Sequence, residues 1–138
     1  MRAATQADVV LDASVVLRAL AQSDEAALEW TQRVATGEVH AAWPDLAFME
    51  VANVLQLEVR RSCQTVESAQ RILGTTLRLP ITPMPILLLA PRALNVAIER
   101  SLTAYDASYV VLAEQLGAAL VTADRTMAAA TPSAVLLS

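Results

Sequence analysis

Residues 103–127 read TAYDASYVVLAEQLGAALVTADRTM, and their layout decides the fold. Asp106 stands at the start of an apolar helical segment, Gly117 stops it, Ala119 to Thr122 forms a short buried strand, and Asp124 lies just past that strand's end. This arrangement puts two carboxylates on one edge of a sheet, with little nearby to neutralise them.

Outward from this stretch the chain alternates in the same way. Asp8 to Asp12 (DVVLD) is a short, fully buried strand, β-branched and without alternation. Ala13 to Ala21 continues with helical spacing at Val15, Val16 and Leu20. Ser23-Asp24-Glu25 starts a second helix that runs to about Thr36, and Gly37 stops it. Glu38 to Trp43 is expected as a second strand with His40 in its middle, and Pro44 as the start of the next helix. From Asp45 to about Arg61 that helix is apolar almost all round, which predicts burial against the sheet or another subunit. Thr65 with Ser68 opens a further helix to about Arg78. Pro80, Pro83 and Pro85 make the strand at Pro80 to Met84 short and an edge. A helix from about Ala90 to Ser101, a short one at Met127 to Ala130 and a last strand at Ala134 to Leu137 complete the pattern. Strands alternating with helices predict an α/β protein with a mostly parallel sheet of four to five strands and helices on both faces.

The 138 residues fit one domain spanning 1–138; 55% are hydrophobic and 17% charged, a composition that can fill a core. No apolar run approaches the length of a membrane span, and the N-terminus (MRAATQADVV) has no apolar signal region, so a cytoplasmic location is expected. Cys63 is the single cysteine, which excludes an internal disulfide and a thiolate cluster. The net charge of −4 provides no general footprint for nucleic acid. All ten basic residues are arginine, a bias that suits phosphate binding and that a GC-rich genome also produces.

Asp12, Asp106 and Asp124 each precede a helical pattern, and any one could be an ordinary N-cap worth about 1 kcal/mol. Their common place argues for more. Asp12 closes the first strand, Asp124 follows the fourth, and Asp106 begins a helix that must lead to the opposite edge. All three therefore share the carboxyl edge of the sheet, where open α/β sheets bind ligands. Glu50, in LAFMEVANVL, has only apolar neighbours within a turn apart from Asn53. A buried unpaired carboxylate costs on the order of several kcal/mol, so Glu50 either pairs with an arginine or joins a cation site. Carboxylates gathered in one pocket repel each other, and a hard divalent cation removes that penalty. The residues thus point to a Mg²⁺ or Mn²⁺ site for phosphoryl chemistry. Other chemistries fail on inventory: one histidine, no lysine, and no glycine-rich phosphate loop among three glycines.

VLDASVVL around Asp12, PDLAFMEVANVL around Glu50, and YDASYVVLAEQLGAALVTAD with Asp106 and Asp124 resemble the PIN domain, and within it the VapC-type toxins of bacterial toxin–antitoxin pairs. The resemblance runs from about Asp8 to Ala130. It implies a three-layer α/β/α sandwich and a Mg²⁺- or Mn²⁺-dependent endoribonuclease whose partner is a VapB-like antitoxin that blocks the site. Carried over by position, Asp12, Glu50, Asp106 and Asp124 are the acidic catalytic and metal-binding quartet. Ser14 and Thr122 match the hydroxyl positions beside the first and last acids, and Asn53 the amide one turn after the glutamate. The extension before Asp8 departs from the family, whose members often begin near the first strand.

The expected reaction is in-line hydrolysis of an RNA phosphodiester, leaving a 5′-phosphate and a 3′-hydroxyl. Arg18, Arg100 and Arg125, nearest the acids in sequence, are candidate phosphate contacts. Receiver and haloacid-dehalogenase domains also cluster acids at strand ends, but their sites need a lysine. A PIN-fold binding module that acts only through a protein partner is the remaining alternative. The apolar helices at Asp45 to Arg61 and Thr65 to Arg78 suggest a homodimer face or a groove for an antitoxin segment.

Overall fold

A computed structural model describes residues 6–138. The described residues form β1 (Val9–Leu11), α1 (Ala13–Gln22), α2 (Glu25–Ala35), β2 (Ala41–Pro44), α3 (Ala47–Arg60) and α4 (Val66–Arg78). Then follow β3 (Ile81–Met84), α5 (Ile86–Arg100), α6 (Ala104–Leu116), β4 (Ala119–Thr122), α7 (Arg125–Ala129) and β5 (Ala134–Leu136). The extension before Asp8 falls mostly on residues 1–5, outside the described residues.

The five strands form one parallel sheet in the order β3-β2-β1-β4-β5. The chain first steps outward from β1 through β2 to β3, then jumps back past β1 to β4 and on to β5. Parallel crossovers are right-handed, so this reversal puts α5, α6 and α7 on the opposite face from α1 to α4. The packing agrees: α6 lies on β1, β2 and β4 and touches α5 and α7, whereas α1 packs with α2, α3 and α4. The result is the expected three-layer α/β/α sandwich. Its switch point, where the strand order reverses, lies between β1 and β4.

Burial explains which segments became the centre. Val10 and Leu11 in β1 and Leu120 and Val121 in β4 are fully buried, as a strand covered on both faces requires. In α6, every residue from Ala107 to Ala113 is buried. Gly117 ends this helix in the left-handed conformation (φ +61°), which a glycine adopts without a side-chain clash.

Several boundaries differ from the sequence expectation. Strand β2 begins only at Ala41, and His40 is an exposed residue before it. Upstream, Val39 N–H turns back to the Arg33 carbonyl, and His40 N–H goes to the Asp8 carboxylate. Pro44 ends β2 instead of starting α3, at the outer end of the β2–β3 pairing, where Asp45 N–H bonds to the Met84 carbonyl. Helix α5 begins at Ile86, four residues earlier than expected, and carries Pro91 in its interior. Pro85 supplies no side-chain cap, but Asp45 Oδ1 accepts from Ile86 N–H (3.1 Å) and does that work from another loop. Helix α3 buries only Ala47, Val51 and Leu55 in the single chain. Among α3, α4 and α5, the large exposed apolar residues concentrate on α5, at Ile86, Leu87, Leu88, Leu94 and Ile98.

Candidate active site

Asp12 is the residue that β1 delivers to the switch point. Its N–H extends the ladder by one bond to the Val121 carbonyl (2.9 Å), which fixes its backbone against β4. Although it occupies the N-cap position of α1, its side chain makes no capping hydrogen bond. Instead Oδ2 accepts from the hydroxyls of Ser14 (2.7 Å) and Thr122 (2.8 Å). Each hydroxyl is also an acceptor, Ser14 from Ala123 N–H (3.3 Å) and Thr122 from Asp124 N–H (2.9 Å). Two short side chains thus tie the end of β1 to the turn after β4 and orient the Asp12 carboxylate, which is only 6% exposed.

Asp124 does serve as a cap: its Oδ1 accepts from Met127 N–H (3.0 Å) at the start of α7. Asp106 does not occupy the cap position. Thr103 holds that place, its hydroxyl accepting from Asp106 N–H (3.0 Å), so Asp106 sits inside the first turn of α6. Glu50 lies in the first turn of α3, and the partner it finds is not an arginine. The Tyr109 hydroxyl, on α6, donates to Glu50 Oε1 at 2.5 Å.

The electrostatics link the four acids. Burial raises the Asp12 carboxyl above its ordinary range, against the pull of its two hydroxyl donors, and the Asp124 charge adds to the rise. Glu50 is raised first by burial and then by Asp12 and Asp106. Asp106 is raised first by burial and then by Asp124 and Asp12. Burial, then the Asp12 and Glu50 charges, push the Tyr109 phenol far above its ordinary value, so it stays a proton donor at any physiological pH. The two ion pairs found among the described residues, Arg33–Glu38 and Arg100–Glu114, involve none of these acids.

A model of the PIN domain matches residues 9–131, and this span contains all four acids. The chain belongs to the PIN domain family. It is 39% identical over 116 residues to the VapC ribonuclease Mb0985 of Mycobacterium bovis, a match covering 84% of this chain and 85% of that one. The solved structure of PAE2754 from Pyrobaculum aerophilum superposes with a TM-score of 0.74 at 32% identity, over 93% of this chain and 82% of that one. A toxin–antitoxin complex from Klebsiella pneumoniae shares the fold, with a TM-score of 0.66 at 18% identity over 92% of this chain and 95% of that one.

In this PIN domain the acids form an electrostatically coupled group and not a closed cage. Among the described residues, no three acidic, histidine or cysteine side chains gather tightly enough to enclose an ion. Mg²⁺ needs no enclosing cage, since it keeps several waters and is held through one or two carboxylates together with its substrate's phosphate. An all-oxygen donor set, in which Asp12, Glu50 and Asp106 have raised carboxyls and none of the acids is in an ion pair found among the described residues, also fits a hard cation.

The secondary candidates fare unevenly. Ser14 and Thr122 both touch Asp12. Asn53 is exposed, its amide oxygen accepts from Gln56 (3.3 Å), and it shares the lining of a cleft with Glu50. Arg100 is engaged with Glu114 (3.2 Å) and the Ala130 carbonyl (3.1 Å), while Arg125 is exposed beside Asp124. Tyr109 escaped the sequence reading because a tyrosine in an apolar run passes for core. Its signal was helical spacing, three residues after Asp106 and hence on the same face of α6.

Proposed function

We propose that this PIN domain, a single nuclease domain over residues 1–138, is a Mg²⁺- or Mn²⁺-dependent endoribonuclease that acts in the cytoplasm as the toxin of a toxin–antitoxin pair. One observation carries the reading: at the switch point of the sheet the Asp12, Glu50 and Asp106 carboxyls are raised first by burial and then by neighbouring acid charges, Asp124's among them, and neither ion pair found among the described residues involves them. The likeness to VapC ribonuclease Mb0985 supports RNA as the substrate class, and the toxin role rests on the resemblance of the segments around the four acids to VapC-type toxins.

These four carboxylates would hold the cation. When bound, it supplies Lewis-acid polarisation of a phosphate and lowers the pKa of a water. The protein's own part is positional. Ser14 and Thr122 point Asp12, Tyr109 points Glu50, and the Thr103 cap sets the turn that presents Asp106. The N-terminal turn of α6 adds a favourable field for a phosphate brought to the acids.

An apolar groove of about 460 Å³ between α3 and α4, lined by residues including Leu55, Val59, Val66 and Leu73, suits an amphipathic antitoxin segment. An arginine of that partner would pair bidentately with the carboxylates and compete with the cation. The exposed leucines and isoleucines of α5 suit a homodimer contact.

The test is cleavage of total RNA in Mg²⁺, in Mn²⁺ and in EDTA, with the cut ends mapped. Cleavage in either metal, its loss in EDTA, and its loss in a folded Asp106→Asn variant are expected. Full activity of that variant sinks the site assignment. Inactivity of the wild type in both metals returns the binding-module reading.

A further inference from the structure

Beside the acids lies a feature that the nuclease reading leaves unused. Between α3 and the first turn of α6 an open cleft of about 360 Å³ is lined by Leu46, Met49, Glu50, Asn53 and Tyr105. Its two large walls face water: Met49 is 72% exposed and Tyr105 66% exposed. Neither packs against the core cluster, and two exposed apolar side chains around one cleft form a patch of the kind that marks a binding groove. Asn53 adds a polar edge. Gln56 donates to its amide oxygen, which leaves the amide N–H₂ as the donor that Asn53 can offer at the cleft. Glu50 belongs to both places, lining this cleft and joining the coupled acids.

We propose that this cleft is a nucleobase subsite that takes one unpaired base of single-stranded RNA beside the phosphate at the acids, stacked on Tyr105 and Met49, with Asn53 donating to the edge of the base. The inference rests on the nuclease reading for its substrate. Single-stranded RNA is read by stacking splayed bases on aromatic side chains and bonding their edges, and this cleft offers one of each. Continuity through Glu50 favours a base over a protein segment, because the occupant of the cleft and the phosphate at the acids are then parts of one strand. Tyr105 would supply affinity for any base, whereas Asn53 would choose among them.

Two measurements on the full chain separate this inference from the nuclease reading. In cleavage assays on single-stranded RNA, Tyr105→Ala should raise KM about tenfold with kcat little changed, and Tyr105→Phe should restore it. Asn53→Ala should alter which bases flank the cut more than it alters the overall rate. In anisotropy titrations of a fluorescein-labelled single-stranded RNA octamer, wild type should bind about tenfold more tightly than Tyr105→Ala. If wild type cleaves no RNA, the nuclease reading fails and the anisotropy comparison alone decides the subsite. Equal affinity of wild type and Tyr105→Ala overturns the proposal. So does a Tyr105→Ala variant whose sedimentation shows a lost dimer together with its raised KM, because Tyr105 also borders the apolar surface near Ile86 and would then serve a second copy of the chain.

Discussion

At the scale of single residues, the site depends on hydroxyl groups as much as on carboxylates. Tyr109→Phe keeps the ring and removes the donor to Glu50. A hydrogen bond to a charged group contributes about 1.5–3 kcal/mol, so we expect a measurable drop in the urea midpoint. RNA cleavage should fall by roughly tenfold or more, since about 1.4 kcal/mol of lost positioning already amounts to tenfold. A protein that cleaves and unfolds as the wild type does would show that Glu50 needs no support. The raised carboxyls make a second expectation. Asp12, Glu50 and Asp106 hold protons more tightly in the fold than in the unfolded chain. Their contribution to stability is therefore full below the ordinary carboxylate range and is lost as pH rises through their raised values. Without divalent cations, thermal unfolding should shift upward as pH is lowered from neutrality toward that range. At neutral pH, Mg²⁺ should raise the midpoint by a few degrees, and Asp12→Asn should raise that of the metal-free protein and blunt the response to Mg²⁺. Scanning fluorimetry across pH checks both, and a midpoint that only rises with pH contradicts the electrostatic account.

At the scale of elements, the first turn of α6 is where local structure and site coincide. Thr103→Ala removes the cap at a cost of about 1 kcal/mol in urea unfolding. Because the same turn presents Asp106, kcat should fall further than that loss of stability implies, and Thr103→Ser should restore both. Gly117→Ala isolates backbone strain: an added Cβ meets nothing within 4 Å, yet φ is +61°. The cost should be about 1 kcal/mol in unfolding with cleavage untouched. The elements legible in the sequence were those announced by local chemistry. Gly117, Thr65 and the acids of Ser23-Asp24-Glu25 mark helix ends within a few residues of themselves. Those that misled depend on distant partners. The sequence puts the start of α5 near Ala90, after Pro85 and beside Pro91, but Asp45, 41 residues upstream, caps the helix at Ile86. Pro91 lies inside α5 and takes away the donor that the Leu87 carbonyl would have one turn earlier. The same division runs through the site. The four acids were conspicuous because each is a charge in apolar company, whereas Tyr109 looks ordinary until its partner 59 residues away is known.

At the scale of the whole molecule, the largest group of exposed apolar side chains lies on α5. A Leu87→Glu, Ile98→Glu pair places charges on that surface without entering the core. If the homodimer forms there, this variant should sediment as a monomer with its circular dichroism unchanged, and a variant that remains dimeric moves the contact elsewhere. The sheet order has a further effect, which concerns time. Asp12 is made early, but the Thr122 hydroxyl that orients it belongs to a strand 110 residues later. At ribosomal speeds of about 5–20 residues per second, roughly 5–20 s separate the two. During that interval Asp106 and Asp124 are also missing or unplaced, so the central strand waits for a neighbour not yet translated. Under the proposed function, the nascent chain is unarmed while it is threaded through a machine made largely of RNA, and it becomes a nuclease only when β4 docks.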